Sequence, residues 1–198
     1  MRLKGSQRRE KILKAAKKLF AQKGFKGTTT KMLAQEAGIS EASLYKYFSS
    51  KEEIYLNLLE QKIKDIGFYF PLKPKNSLKE TLKSIVVQFL KRNTKDPSFV
   101  KIFLYASLEE HEISKNILSK LRNIFFSRLE SLFQIWIQEK KIKKMDKHLL
   151  SKFFFALLYY SLLLKTIFPD DEFNGYTIEE IANNLTEIFL EGVLYEQK

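Results

Sequence analysis

The chain has 198 residues, 44% of them hydrophobic, with 7 Gly, 4 Pro and no Cys. That is enough for one large domain or a small one fused to a medium one, and the missing cysteines exclude disulfides and thiolate chemistry and make a reducing cytoplasm the expected compartment. The net charge of +12 is unevenly placed: residues 1–51 hold 13 Lys/Arg against Glu10, Glu36 and Glu41, a net of +10, while the other 147 residues hold 22 basic and 20 acidic side chains.

A basic segment beside a near-neutral one is the expected footprint of a polyanion-binding module on a separate body. The opening Met-Arg-Leu-Lys-Gly-Ser has no apolar core of signal-peptide length. The longest apolar run, Phe153 to Leu164, is broken only by Ser161 and closed by Lys152 and Lys165 at 12 residues. A membrane span needs about 20 residues, so a buried core helix is expected here.

Helical periodicity dominates and no convincing alternating strand is found. The first helix runs from about Gln7 to Lys23, with Ile12, Leu13, Ala16, Leu19 and Phe20 in one stripe, and Gly24 stops it. Phe25 is placed to pack back into the small core. A second helix starts near Thr30 with Thr29 as N-cap, buries Met32 or Leu33, Ala34 and Ala37, and ends at Gly38. Ser40 caps a third, Glu41 to Phe48. Ser50-Lys-Glu-Glu53 is a capping box opening a fourth, about Lys51 to Phe68, and Pro71 and Pro74 mark its boundary.

The body is expected to add five helices. Ser77-Leu-Lys-Glu80 starts one that reaches Asn93, and Asp96-Pro97 opens the next. A long amphipathic helix spans Ser114 to Lys140, another runs from Asp146 to Phe168, and residues 169–175 read as a loop. Thr177-Ile-Glu-Glu180 caps a last helix to Tyr195. The expectation is an all-α chain of nine helices. A three-helix head with a helix-turn-helix (residues 1–50) is joined by helix 4 to a helical ligand-binding and dimerisation body (residues 51–198).

The chemistry-bearing stretch is Thr28 to Lys51. Gly38 permits the positive φ of a sharp turn. Ala34 and Ala37 allow close helix approach, and Leu44 and Phe48 hold helix 3 to the core. The opposite face presents Glu41, Ser43, Tyr45, Lys46 and Tyr47, where hydroxyls and Lys reach phosphates or base edges of a groove. Tyr45 also suits a core position, and Lys46 a solvated one.

Gly24-Phe25, Thr28-Thr29, Leu33-Ala34, Ala37-Gly38-Ile39-Ser40, Leu44-Tyr45, Tyr47-Phe48 and Lys51-Glu52 resemble the N-terminal signature of the TetR family of bacterial transcriptional regulators, over about residues 7–60. The resemblance implies an Ω-shaped homodimer on a near-palindromic operator. It also implies a body pocket whose filling by a small effector releases DNA. By position it implies DNA contacts from Thr29, Thr30, Lys31, Glu41, Ala42, Ser43, Tyr45, Lys46, Tyr47 and Lys51. Members often carry Lys-Gly or a similar pair where this chain has Glu41-Ala42. Glu41 is therefore either a base reader that accepts from a cytosine amino group or a partner of the helix dipole.

Aromatic residues crowd the body, and the expected pocket is apolar, suited to a hydrophobic or aromatic ligand. Its candidate lining is Phe89, Phe103, Leu121, Phe125, Trp136, Phe154 and Tyr159. Two apolar stripes on the last two helices form the candidate dimer interface, as a four-helix bundle across a two-fold axis. They comprise Leu150, Phe153, Leu157, Tyr160, Ser161 and Leu164 on one, with Ile181, Leu185, Ile188 and Phe189 on the other. His111 follows Glu109-Glu110, but no second histidine stands at i+3 or i+4, so no metal is expected, nor any other cofactor. No catalytic constellation stands out. The competing readings are a small-molecule binder that retains the head and a nonspecific DNA-binding protein.

Overall fold

The computed structural model describes residues 5–66, 77–109, 112–168 and 170–194. Phe68, the linker prolines Pro71 and Pro74, His111 and Tyr195 lie outside the described residues, as do the side chains of Leu121 and Arg122. Ten helices stand among the described residues. They are α1 (Gly5–Lys23), α2 (Thr30–Glu36), α3 (Glu41–Leu44), α4 (Lys51–Ile66), α5 (Leu78–Lys95), α6 (Ser98–Leu108), α7 (Glu112–Gln138), α8 (Lys147–Thr166), α9 (Asp171–Gly175) and α10 (Ile178–Val193). No strand forms among them; the one extended pairing is an isolated bridge between Ile142 and Leu194.

The capping residues named from the sequence act as caps. Thr29 accepts from Met32 N, Ser40 from Ser43 N, Ser77 from Glu80 N, and Asp146 from His148 N and Leu149 N. Thr177 and Glu180 complete a reciprocal box. At α4 the pattern is shifted by one residue: Ser50 Oγ accepts from Glu53 N, but the Glu53 carboxylate accepts from Ser49 N and Oγ.

Two expectations fail locally. The expected loop over 169–175 contains α9, because Asp170 accepts from Phe173 N at 2.8 Å and Asp171 and Glu172 follow in its first turn. The count is therefore ten rather than nine. Helix α3 ends at Leu44 rather than Phe48. Beyond it Lys46 N and Tyr47 N donate to Ser43 O and Leu44 O, a tightening to i→i+3 bonds.

The chain divides into two compact units, Met1–Asp65 with Ser98–Leu121, and Ile66–Pro97 with Arg122–Lys198. In the first, α1 buries Ile12, Leu13, Ala16, Leu19 and Phe20 and packs on α2 and α6. Phe20, Phe25 and Tyr55 close the head core, Tyr55 lying 5.0 Å from each of the other two rings. The helix that follows the head in sequence, α4, contributes Ile54, Tyr55, Leu58 and Leu59 to this core, so compactness extends past residue 50.

In the second unit α10 packs on α5 and α8, and α5 on α8. Phe133, Trp136, Phe154 and Phe189 form its aromatic centre. Helix α8 departs from the buried helix expected of its apolar run. It buries Leu150, Ser151, Phe154, Leu158, Leu162 and Leu163, but Phe153, Leu157 and Tyr160 are exposed on its other side. One face satisfies this unit's core and the other is left apolar toward solvent.

Candidate nucleic-acid interface

The turn between α2 and α3 is closed by Gly38 at φ +64, with Gly38 N donating to Gln35 O and Ile39 N to Ala34 O. An L side chain at that φ is strained, which is why glycine stands there. Leu33, Ala34, Ala37, Leu44 and Phe48 are buried, so α3 is fixed by one face. The residues opposite stay accessible: Ala42, Tyr45 and Lys46 are exposed, and Glu41, Ser43 and Tyr47 are half-buried. Tyr45, at 50% exposure, belongs to the outer face and not to the core. Thr29, which caps α2, and Lys31 in its first turn are exposed.

Several of these residues also carry partners within the head. Thr30 Oγ1 donates to Glu41 Oε1 and lies 3.5 Å from Tyr45 Oη, linking the first residue of α2 to α3. Tyr47 O accepts from Arg9 Nη1 at 2.9 Å, and the same guanidinium reaches Asn57 Oδ1 at 2.8 Å and lies 4.1 Å above the Phe48 ring. Arg9 thereby ties α1 to the end of the α3 turn and to α4. Lys51 Nζ donates to Phe25 O and Thr28 O at 2.9 and 2.8 Å and sits 4.1 Å over the Phe25 ring. Two of its three donors are thus committed within the head, leaving one for a phosphate.

A brace that the sequence did not reveal holds the turn after α1. Glu109, at the end of α6, accepts from Phe25 N at 3.0 Å and Lys26 N at 3.1 Å, and Tyr105 Oη donates to Gln22 O. Gly24, at φ +69, lies against both side chains. Residues 83 or 84 positions apart cannot be paired from local pattern. Beneath this turn, buried Thr28 donates its hydroxyl to Gly24 O.

The candidate ligand residues do not form one lining. Trp136 and Phe154 are fully buried and packed against Phe133 and Phe189, so they fill the core rather than border a space. Phe89, Phe125 and Tyr159 join Phe126 and Phe155 in a second aromatic cluster, with Phe125 and Phe155 4.8 Å apart and Phe155 stacked on Tyr159 at 5.4 Å. Burial pushes the Tyr159 phenol up from its usual pKa. Phe103 belongs to the first unit and packs beside Phe99.

On the α8 and α10 face, Phe153, Leu157, Tyr160, Ser161, Leu164, Ile181, Leu185 and Ile188 line an apolar groove of about 760 Å³. Leu150 and Phe189 are instead buried in this unit's own core.

The family model for bacterial regulatory proteins of the tetR family matches residues 12–58. The chain is 32% identical over 145 residues to the nucleoid occlusion factor SlmA of Aliivibrio fischeri, covering 69% of this chain and 70% of that one. It is 34% identical over 119 residues to YerO, an HTH-type transcriptional regulator of Bacillus subtilis; that match covers 56% of this chain but spans 38% of YerO's length. FadR of B. subtilis, solved in complex with stearoyl-CoA, has the same fold, with a TM-score of 0.75, 19% identity and coverage of 92% of this chain and 98% of that one. A glycine-turned α2–α3 pair on a basic α1, the matched N-terminal model and the relative aligned over most of its length agree. The chain belongs to the TetR family of bacterial helix-turn-helix transcriptional regulators.

Proposed function

We propose that this protein is a cytoplasmic transcriptional regulator, acting as a repressor, that binds a near-palindromic operator as a homodimer through α2 and α3. The carrying observation is the division of α3 into a buried face at Leu44 and an accessible face at Ala42, Tyr45 and Lys46, on a segment with net charge +10. Thr29, Thr30, Lys31, Glu41, Ser43 and Tyr47 complete the contact surface, and Lys51 offers its remaining donor. Dimerisation uses the exposed α8 and α10 groove, whose area of apolar side chains a monomer leaves in water. A small hydrophobic or aromatic effector in the body, near the Phe89, Phe125, Phe155 and Tyr159 cluster, releases DNA by displacing α4 and changing the spacing of the two α3 helices, which must match about 34–36 Å or a multiple of it.

The test is a band shift with the protein's own upstream region across a salt series. Specific binding should fade steeply toward a few hundred millimolar salt, because several phosphate contacts release counterions. If the Tyr45→Ala/Lys46→Ala variant binds as tightly as the parent, α3 is not the reading element. A second reading, DNA binding with an output other than transcription, is favoured by the similarity to a nucleoid occlusion factor. A reporter fused to the bound promoter separates them: repression in the presence of the protein supports the first, unchanged transcription the second.

A further inference from the structure

Glu41 is the one acidic residue on α3, and it stands in a segment whose other charges are overwhelmingly basic. Glu36, nearby on α2, is neutralised by Lys18 at 2.6 Å. Glu41 has no ion pair among the described residues; its carboxylate accepts the Thr30 hydroxyl at Oε1. Tyr45, one helical turn on, directs its hydroxyl to the same Thr30 oxygen at 3.5 Å. The carboxylate is thus held by a neutral donor, half-exposed on the side of α3 that carries Tyr45, with Oε2 uncommitted among the described residues.

A carboxylate in that place repels every phosphate it approaches, so it weakens binding to all duplexes alike. What it gains depends on the base edge. An ionised carboxylate only accepts. In the major groove cytosine presents the N4 amino donor, guanine presents two acceptors, thymine presents an acceptor and a methyl group, and adenine's amino donor lies beside the N7 acceptor. Cytosine alone offers a donor without an adjacent acceptor.

We propose that Glu41, positioned by Thr30, is a specificity-determining residue that reads cytosine at one position of each operator half-site. This rests on the operator-binding reading above. Its sign is particular: Glu41 lowers affinity for arbitrary DNA and raises the ratio of specific to arbitrary binding.

The experiment is selection of bound duplexes from a random library by the full-length protein and by Glu41→Gln and Glu41→Ala, followed by affinities for the selected site and its single-base variants. The parent should fix cytosine at one half-site position and prefer it about tenfold over other bases. Glu41→Gln, which both donates and accepts, should move that position toward adenine, and Glu41→Ala should relax it. The remaining positions should be unchanged, and both variants should bind random duplex more tightly than the parent. Thr30→Val should relax the same position in part. Identical selected sites for parent and variants, or weaker binding of random duplex by Glu41→Gln, would overturn the assignment while leaving the regulator reading intact. A parent that selects no sequence would overturn both.

Discussion

The Glu109 brace makes a quantitative prediction about the turn after α1. Replacing Glu109 by Ala removes the acceptor for Phe25 N and Lys26 N. A hydrogen bond to a charged group contributes about 1.5–3 kcal/mol. The Lys26 bond is exposed, so water takes its place and it counts at or below the low end. The expected loss is about 2 kcal/mol. Gly24→Ala costs more. Its φ of +69 penalises any L side chain by about 1 kcal/mol. Its new Cβ would also stand 2.1 Å from Glu109 Oε1 and 2.8 Å from Tyr105 Cδ1, so the brace must withdraw and the same two bonds are lost again. Gly24→Ala is therefore expected to cost about 3 kcal/mol. The double variant should cost about 3 rather than about 5 kcal/mol, a coupling near 2 kcal/mol between residues in contact. Urea denaturation of the four proteins measures the cycle, and hydrogen exchange at the amides of residues 25 and 26 locates it. Additive losses, or unchanged exchange at those amides in Glu109→Ala, would refute the brace.

Three further outcomes follow from the same geometry. Lys51→Met should lower stability by about 1–3 kcal/mol, because it leaves Phe25 O and Thr28 O without their cation, whereas Lys46→Ala should leave the melting temperature unchanged and reduce the salt slope of DNA binding by about 1. Ile188→Glu, at a position 65% exposed in the α8 and α10 groove, should shift sedimentation from dimer to monomer while the monomer keeps its helical signal; an unchanged dimer would place the interface elsewhere. The Glu180 carboxyl is held below its usual pKa of 4.5 chiefly by the Thr177 backbone N–H, and then by the Thr177 hydroxyl. A depressed folded pKa means stability that is present above the unfolded pKa and lost as the pH falls, so the gap between parent and Glu180→Gln should be constant near neutrality and close below pH 4.5.

Local signals carried most of the secondary structure. Caps at Thr29, Ser40, Ser77, Asp146 and Thr177 lie within three residues of the amides they serve, and Gly24 and Gly38 have the positive φ their places in the pattern require. Periodicity likewise named the buried face of α1 and the anchoring pair Leu44 and Phe48. It failed where two faces of one helix are both apolar. On α8 the composition of Phe153 to Leu164 is uniform, so hydrophobicity cannot separate the buried Phe154 and Leu158 from the exposed Phe153 and Leu157. The aromatic body residues could not be sorted from the sequence for a related reason: ring identity does not say whether Trp136 fills a core or Tyr159 borders a half-buried cluster.

By itself, then, the sequence determined an all-α chain with a basic glycine-turned helix pair and the candidate residues on its outer face, because caps, turns and amphipathic stripes act over three or four residues. Tertiary structure decided which of those side chains already have partners within the head. It committed Lys51 to two carbonyls, set Glu41 on Thr30, tied Arg9 to Tyr47 O and brought Glu109 to the amides after Gly24. Each of these joins positions between 11 and 84 apart, and such partners are chosen by how packed helices meet rather than by any pattern along the chain.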